Sequence, residues 1–93
     1  RGPALPFATM LHGNYPNPFN AATVIPFDLT IEGSVSLKVY NLAGQLVETL
    51  VDGYMNAGSH EIIWDASVIS SGIYFYTLKT GGHTTTKKMN LLK

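Results

Sequence analysis

Hydrophobic and polar residues alternate along most of this 93-residue chain, and a period of two is typical of strands with one buried face. The clearest segment contains Val35, Leu37 and Val39, which alternate with Ser36 and Lys38. Gly, Pro and Asn residues interrupt the alternation at spacings of about 8–12 residues, as turns do. The pattern predicts a chain of short strands with no helix longer than about one turn.

Six strands and a short seventh one near residues 10–13 account for this pattern. The six segments are 23–29, 34–40, 45–51, 60–65, 73–80 and 83–92. Pro26 lies inside the first of them, and because proline cannot donate to a β-ladder, we expect that strand to lie at a sheet edge or to be bulged. Apolar residues in segment 45–51 fit both registers, and Asp52-Gly53 is expected to belong to the connection that follows.

The connections between strands have turn chemistry of their own. Gly81-Gly82 predicts a two-residue hairpin, because glycine tolerates positive φ. The segment between Asp65 and Gly72 predicts a loop, with at most one helical turn capped by Asp65. Two prolines in segment 14–20 predict a rigid, non-helical corner. The residues expected to shape the turns and the core are Asn14, Pro16, Pro18, Phe19, Gly44 and Trp64.

About seven short strands at such spacings predict an all-β fold, an immunoglobulin-like antiparallel β-sandwich with no substantial helix. The chain has no cysteine, so Trp64 and Tyr74 must supply core bulk by packing alone. Residues 1–10 contain three Gly or Pro residues and no clear period, and they predict a linker from an upstream domain. Residues 11–93 would then form the sandwich.

The composition excludes several classes of protein. The chain is 45% hydrophobic with six basic and six acidic side chains, which is unlike a disordered segment. A net charge of zero argues against nucleic acid as the partner, since phosphate binding needs clustered Lys and Arg. No stretch approaches the ~20 apolar residues that a membrane span requires.

Catalytic and metal-binding patterns are missing from the sequence. The three histidines, His12, His60 and His83, do not have a metal-ligand spacing, and the carboxylates are isolated. Segment 70–72, Ser-Ser-Gly, lacks the elbow that exposes a nucleophilic serine. We therefore expect no enzyme activity, no cofactor and no structural metal. A surface calcium ion at Asp52 or Asp65 stays open as an alternative.

Two surface features suggest binding. Tyr40, Tyr54 and Phe75 could form a stacking platform for sugars if they are exposed. The last ten residues combine three lysines with an apolar group at the end of a strand. This segment is either an ordinary edge strand protected by its lysines or a terminal address that another protein reads by strand addition or by charge.

Five motifs, in this order, resemble one known family from about Leu11 to the end of the chain. They are Asn14-Tyr-Pro-Asn-Pro-Phe-Asn20, Val39-Tyr-Asn-Leu-Ala-Gly44, Gly58-x-His60 with Trp64-Asp65, Ser71-Gly-Ile-Tyr-Phe-Tyr76 and Lys87-Lys-Met-x-Leu-Leu-Lys93. Together they resemble the type A C-terminal sorting domain of proteins exported by the type IX secretion system (Por secretion system) of Bacteroidetes. The pattern also overlaps the immunoglobulin-like domain of the flagellar hook-capping protein. One departure is Ala21, where the family commonly has proline.

The resemblance implies a non-enzymatic module at the end of a larger secreted protein. Such a domain is recognised by the outer-membrane translocon, and a sortase-like peptidase then removes it and attaches the upstream cargo to surface lipopolysaccharide. The elements associated with export correspond here to Gly72, Tyr74, Lys87, Lys88, Met89, Leu91, Leu92 and Lys93. We expect Tyr74 to bond its hydroxyl back to a loop, as a tyrosine corner does.

The leading hypothesis is therefore an export and surface-anchoring module, located at the cell surface or secreted by way of the periplasm and outer membrane. A carbohydrate-binding or adhesive module of a polysaccharide-degrading enzyme is the alternative. A third reading is a spacer that only stabilises its neighbour. The cargo, the receptor and the oligomeric state cannot be read from these residues.

Overall fold

Seven strands pair into two antiparallel sheets in the computed structural model, which describes residues 8–93. In chain order the strands are β1 (Met10–Leu11), β2 (Ala22–Leu29), β3 (Gly33–Asn41), β4 (Leu46–Met55), β5 (Gly58–Asp65), β6 (Gly72–Thr80) and β7 (His83–Leu91). One sheet has the order β1-β2-β5 and the other the order β4-β3-β6-β7. The predicted all-β sandwich is confirmed.

Residues 1–7 of the predicted linker lie outside the described residues. Met10 already pairs with Asp28 in β1, and Thr9 Oγ1 lies 3.0 Å from Thr30 Oγ1. The described part of the chain contains no helix, and so none that could cross a membrane.

The core lies between the two sheets and is filled by the inward side chains of alternating strand positions. In β2 every second residue from Thr23 to Leu29 is buried, as the alternation predicts. The hairpin at Gly81-Gly82 is confirmed by the pairing of Thr80 with His83. The largest side chains with almost no exposed surface are Trp64, Tyr76, Phe19, Phe27, Ile25, Leu29, Leu37, Leu78, Met89 and Leu91.

Pro26 lies in the middle strand of its sheet, so its predicted edge position is wrong. The neighbouring strand β1 is only two residues long, and beyond it His12 N donates to Pro26 O at 3.0 Å. A regular antiparallel pair would return a hydrogen bond to His12 O, but proline has no N–H to donate. The proline is tolerated because the regular ladder is interrupted here, and the next pair, Tyr15 with Val24, is shifted by one residue.

Tyr76 supplies the hydrogen bond that Pro26 cannot. Its hydroxyl donates to His12 O at 2.8 Å and accepts from Asn14 N at 2.9 Å. Burial raises the pKa of Tyr76, and the Asn14 N–H partly opposes that shift. The hydroxyl therefore remains protonated and joins β6 of one sheet to the entry of β2 in the other.

Strand β4 is longer and less regular than predicted. Asp52-Gly53 lies inside it rather than in the following connection. Two register shifts against β3 leave Val47 and Leu50 without a paired Cα partner, as β-bulges do. Each extra residue reverses the alternation, which explains why the apolar positions of this segment fit both registers.

The β5–β6 connection is a loop, as predicted, and residues 66–69 form a single turn in it. The Asp65 carboxylate accepts a hydrogen bond from Ser67 N at 3.0 Å, and Ile69 N donates to Ala66 O at 3.0 Å. Asp65 thus organises an Asx turn instead of capping a helix.

Replacing Tyr76 with Phe should destabilise the fold by about 1–3 kcal/mol, because two buried main-chain groups lose a partner. Urea unfolding of the purified protein measures this loss. Tyr54→Phe is the control, since its ring is 62% exposed, and it should leave the midpoint unchanged. Equal midpoints for Tyr76→Phe and the parent would show that the bridge contributes nothing.

Candidate functional site

Three segments that are distant in sequence meet at one end of the sandwich. They are the corner formed by residues 14–20, the loop formed by residues 66–71 and the terminal residues 89–93. We call this surface the terminal pole. The motifs at the proline corner, at Trp64, at Tyr74 and at the end of the chain all contribute to it, although they are spread over most of the sequence.

The corner covers the open edge of β7 near the end of the chain. Phe19 N donates to Asn90 O at 3.0 Å, and Leu92 N donates to Phe19 O at 2.8 Å. Asn17 Oδ1 accepts a further hydrogen bond from Asn90 N at 3.0 Å. Phe19 and Leu91 form an isolated parallel bridge. The last residues of β7 are therefore held on both sides, by β6 and by the corner.

Side-chain hydrogen bonds hold the corner in shape. Asn14 Nδ2 donates to Thr23 Oγ1 at 3.0 Å and to Pro16 O at 3.3 Å, and the Thr23 hydroxyl donates to Pro16 O at 3.0 Å. The peptide bonds that precede Pro16 and Pro18 are both cis. The predicted non-helical corner is confirmed, and its prolines face solvent while Asn14 is buried.

An aromatic cluster lies beneath the terminal pole. The Trp64 ring centre is 5.8 Å from that of Phe19 and 5.7 Å from that of Tyr74, in tilted and edge-to-face arrangements. Trp64 Nε1 donates to Glu48 Oε1 at 3.0 Å, so the indole N–H is satisfied. The Tyr74 hydroxyl donates to Ser70 O at 2.6 Å, which confirms the expected bond back to the loop.

The end of the chain is tied to the 66–71 loop. Lys93 N donates to Ser71 Oγ at 3.0 Å, and Lys93 Nζ donates to Ser67 O. The hydrogen bonds from Ser67 hold the pKa of Asp65 below its usual range, and the nearby Lys93 ammonium adds to the effect. Loop and terminus therefore form one continuous surface.

Burial divides the export candidates of β7 into two groups. Met89 and Leu91 are completely buried, so no receptor can touch their side chains on the folded domain. Lys88, Leu92 and Lys93 are exposed, and Lys87 is half-buried. The alternation of the strand thus sends its two apolar anchors into the core and Lys88 outward, whereas Lys87 shares the inward face and is half-buried.

The two glycines singled out from the sequence differ in their structural roles. Gly44 has φ 81° in the β3–β4 turn, a conformation that favours glycine. Gly72 is exposed at the start of β6, and a Cβ added there would meet only the Tyr74 ring, at 3.9 Å. Space around Gly72 therefore does not require a glycine, but its φ of 158° lies at the limit of the range that favours one.

The histidines are dispersed over the surface. His12 Nε2 lies 2.7 Å from Asp28 Oδ2, and this partner, with Ser59 assisting, holds the pKa of Asp28 below its usual range. His60 Nε2 lies 2.8 Å from Asn56 O. Within residues 8–93 no three His, Cys, Asp or Glu side chains are grouped closely enough to hold a metal ion. A calcium ion at either predicted aspartate stays a prediction.

The three candidate stacking residues do not form one platform. Tyr40 and Phe75 are half-exposed and lie directly opposite each other on the outer face of the four-stranded sheet. Tyr54 is exposed on β4 and pairs with Ser34 at the other end of that sheet. The Tyr54 hydroxyl bonds to Glu32, which raises the pKa of Tyr54.

Sequence reasoning missed several residues that shape the terminal pole. The two hydrogen bonds of the Tyr76 hydroxyl were not predicted, and Asn17, Ser67 and Ser71 were not singled out as partners of the terminus. Their bonds to Asn90 and Lys93 join residues 22 or more positions apart. A local sequence pattern does not indicate a contact between such distant residues. The serines in the loop between two predicted strands were the only sign of possible partners for the terminus.

A family model described as the secretion system C-terminal sorting domain matches residues 14–91, which is most of the chain and includes the corner, the 66–71 loop and residues 89–91 of the terminal pole. The chain belongs to this family. It is therefore a sorting domain that directs export of its parent protein by type IX secretion, to the cell surface or beyond. Sorting domains of this family are non-catalytic modules.

The fold of the sorting domain is similar to part of a solved structure, dimeric latent PorU from Porphyromonas gingivalis. The match has a TM-score of 0.65 and 22% sequence identity, and it covers 90% of this chain but 9% of that one. The likeness concerns the fold alone. No curated protein matches the sequence.

Ala21 occupies the position where the sequence led us to expect proline. Its φ is 76°, whereas a proline ring holds φ near −65°. Ala21 O nevertheless accepts a 2.6 Å hydrogen bond from Ala66 N, which keeps the corner attached to the loop. The backbone at this point of the sorting domain is therefore one that a proline could not adopt.

Ala21→Gly should stabilise the sorting domain by about 1 kcal/mol, because glycine adopts positive φ without the steric cost that alanine has. Thermal and urea unfolding measure the change. Ala22→Gly, at the exposed start of β2, is the matched control and should be neutral or destabilising. A loss of stability in Ala21→Gly would contradict the strain at this residue.

Leu91→Asp and Leu92→Asp should differ sharply although the two leucines are neighbours. Leu91 is completely buried and Leu92 is 59% exposed. A buried, unpaired carboxylate should unfold the domain, whereas the exposed one should change stability by less than about 0.5 kcal/mol. Circular dichroism melts report both; similar melting temperatures would mean that β7 does not belong to the core.

Proposed function

We propose that the terminal pole is the surface by which the export machinery recognises this sorting domain. The observation that carries the proposal is the meeting of the corner, the 66–71 loop and the terminal residues at one end of the sandwich. Exposed Leu92 and Lys93 present an apolar side chain and a cation there, beside the exposed Val68 of the loop. A receptor would then read a folded surface and not an extended peptide.

The hydrogen bonds of the terminal pole support this function physically. The main chain of Leu92 and Lys93 is bonded to Phe19 and Ser71, so these residues are held in one conformation before any partner arrives. Binding a preorganised segment avoids much of the entropy cost of ordering a free chain end. The same two residues on a frayed terminus would bind more weakly.

The point where an upstream domain would attach lies away from the terminal pole. Thr9 contacts Thr30 and lines the same groove as His83, the first residue of β7. A nine-residue strand such as β7 spans roughly 30 Å, and its other end lies at the terminal pole. An attached cargo would therefore leave the recognition surface uncovered.

We also infer the partners of the later steps. The outer-membrane translocon would bind the domain, and a sortase-like peptidase would cleave upstream of the sandwich and transfer the cargo to the cell surface. The domain itself would perform no chemistry in these steps. Membership of the family supports both partners.

The experiment is an export assay with the 93-residue chain fused to the end of a passive reporter, in a bacterium that has a type IX secretion system. The parent fusion should reach the medium or the cell surface. Leu92→Ser/Lys93→Gln should be retained inside the cell, because the recognition surface is altered while the core is untouched. Reporter activity in cells and medium measures the exported fraction.

Removal of a longer terminal segment would not test recognition, because it deletes Met89 and Leu91 from the core. Tyr54→Ser is the matched control, since it changes an equally exposed residue at the other end of the sheet. Equal melting temperatures of all variants establish that each is folded. Normal export of the folded Leu92→Ser/Lys93→Gln variant would overturn the proposal.

A further inference from the structure

The outer face of the four-stranded sheet carries an exposed apolar cluster near the terminal pole. Register places Leu46 opposite Tyr40, and Tyr40 opposite Phe75. Ile73 lies two residues before Phe75 on the same face, and Leu42 follows the last β3–β6 pair. The three aliphatic residues are 37–69% exposed. We call these five residues the outer patch.

Apart from Tyr54 at the far end, the rest of this face is polar, as the water-facing side of an antiparallel sheet normally is. Its outward positions away from the outer patch are Ser34, Ser36, Lys38, Thr49, Asp52, Thr77, Lys79, Thr84 and Thr86. Thr77 Oγ1 and Thr86 Oγ1 are 2.8 Å apart and bond to each other. The apolar side chains are therefore gathered at one end of the sheet. Such a gathered patch with a polar border marks an interaction site.

Charge is distributed unevenly between the two sheets although the whole chain is neutral. The four-stranded sheet contains four lysines, Lys38, Lys79, Lys87 and Lys88, and two acids, both in β4. Strands β1, β2 and β5 contain three acids and neither Lys nor Arg, namely Asp28, Glu61 and Asp65. The face that carries the outer patch is thus the cationic side of the sandwich.

Two of the lysines border the outer patch directly. Lys88 is paired with Phe75 across β6 and β7, and Lys38 lies two residues before Tyr40 on the same face of β3. The two acids of β4 lie elsewhere: Glu48 accepts the hydrogen bond of Trp64, and Asp52 pairs with Ser36. The patch thus has an apolar centre and a basic border.

We propose that the outer patch docks onto a protein of the export machinery, at an apolar surface of that protein with an acidic border. Protein interfaces commonly have an apolar centre containing Tyr and Phe and a charged rim, and rim charges steer the partner and select it. The patch adjoins the terminal pole at Ile73, which pairs with Asn90 beside Leu92. The proposal rests on the proposed function and extends the recognition surface from the terminal pole onto the sheet.

The size of the face fits a transient complex. Four strands about 4.8 Å apart and about 30 Å long offer roughly 550 Å², less than the about 800 Å² per partner of a standard stable interface. A sorting domain that is bound during export and released afterwards needs an interface of this modest size. The partner therefore binds through a few residues, with Tyr40 and Phe75 at the centre.

Two other occupants are chemically less suited. A glycan would stack on Tyr40 and Phe75, but the neighbouring aliphatic side chains offer no hydrogen bonds to sugar hydroxyls. A second copy of the chain could place its acidic sheet there, because Ile63 is exposed between Glu61 and Asp65 on β5. Such a head-to-tail contact would build a ring or a fibre.

The test uses the reporter fusion of the whole chain and two patch variants. Tyr40→Ser/Phe75→Ser removes the apolar centre, and Lys38→Glu/Lys88→Glu reverses the border while leaving the apolar residues in place. Each should reduce the export rate about tenfold, which corresponds to about 1.4 kcal/mol of lost binding. Ile31→Ser/Tyr54→Ser, with two residues exposed at the other end, is the control and should stay within about twofold.

Every outcome decides the proposal. Export of folded patch variants at the parental rate overturns it, and the proposed function still stands if Leu92→Ser/Lys93→Gln is retained. No export of the parent fusion overturns both. If Tyr40→Ser/Phe75→Ser reduces export but Lys38→Glu/Lys88→Glu is exported normally, the claim that the partner surface has an acidic border is overturned.

Two measurements on the purified domain separate the other occupants. Sedimentation velocity that shows an oligomer in the parent and a monomer in the patch variants would assign the patch to a second copy. Retention of the parent on insoluble cellulose or chitin, lost in Tyr40→Ser/Phe75→Ser, would assign it to a glycan. Either result overturns the proposal; a monomer without glycan retention, together with the export defects, supports it.

Discussion

The last strand completes the core, while its exposed side chains and the residues after it form part of the terminal pole, and the other features of the domain depend on that combination. The alternation of side chains along the strand makes both possible. Met89 and Leu91 face inward and are fully buried, while Lys88 and Leu92 face outward. β6 pairs with the strand along its whole length, and the proline corner covers its other edge near the end. This part of the terminal pole is therefore as well ordered as the core, because neighbouring residues of one strand build both.

The aromatic cluster below the terminal pole explains why separated motifs are needed for one surface. Trp64 contacts Phe19 of the corner and Tyr74 of β6, and Tyr74 in turn bonds to the loop through Ser70. Each motif contributes one part of this aromatic cluster. A change in any of them would move the backbone that presents Leu92 and Lys93, even though none of these aromatic rings is accessible.

Much of the architecture could be predicted from the sequence, because strand period, turn residues and large apolar side chains act locally. The strand around Leu37, the hairpin at Gly81 and the buried Trp64 are examples. The errors arose where a distant group decides the outcome. Pro26 was placed at an edge because the sequence does not reveal that β1 ends beside it and that Tyr76, 50 positions later, donates in its place. The bulges of β4 appeared only as an ambiguous pattern, and the bonds of Lys93 to the loop left no pattern at all.

The separation of lysines and carboxylates between the two sheets has a consequence for how the molecule behaves near a charged surface. A neutral body feels almost no net pull from such a surface, but opposite net charges on its two broad sides give it a dipole moment, and the electric field of the surface turns it. At physiological ionic strength this torque acts only within about 8 Å, the screening length of the solution. Electrostatics therefore set which side faces the surface at the last step of approach, and they hardly change how often the molecule arrives.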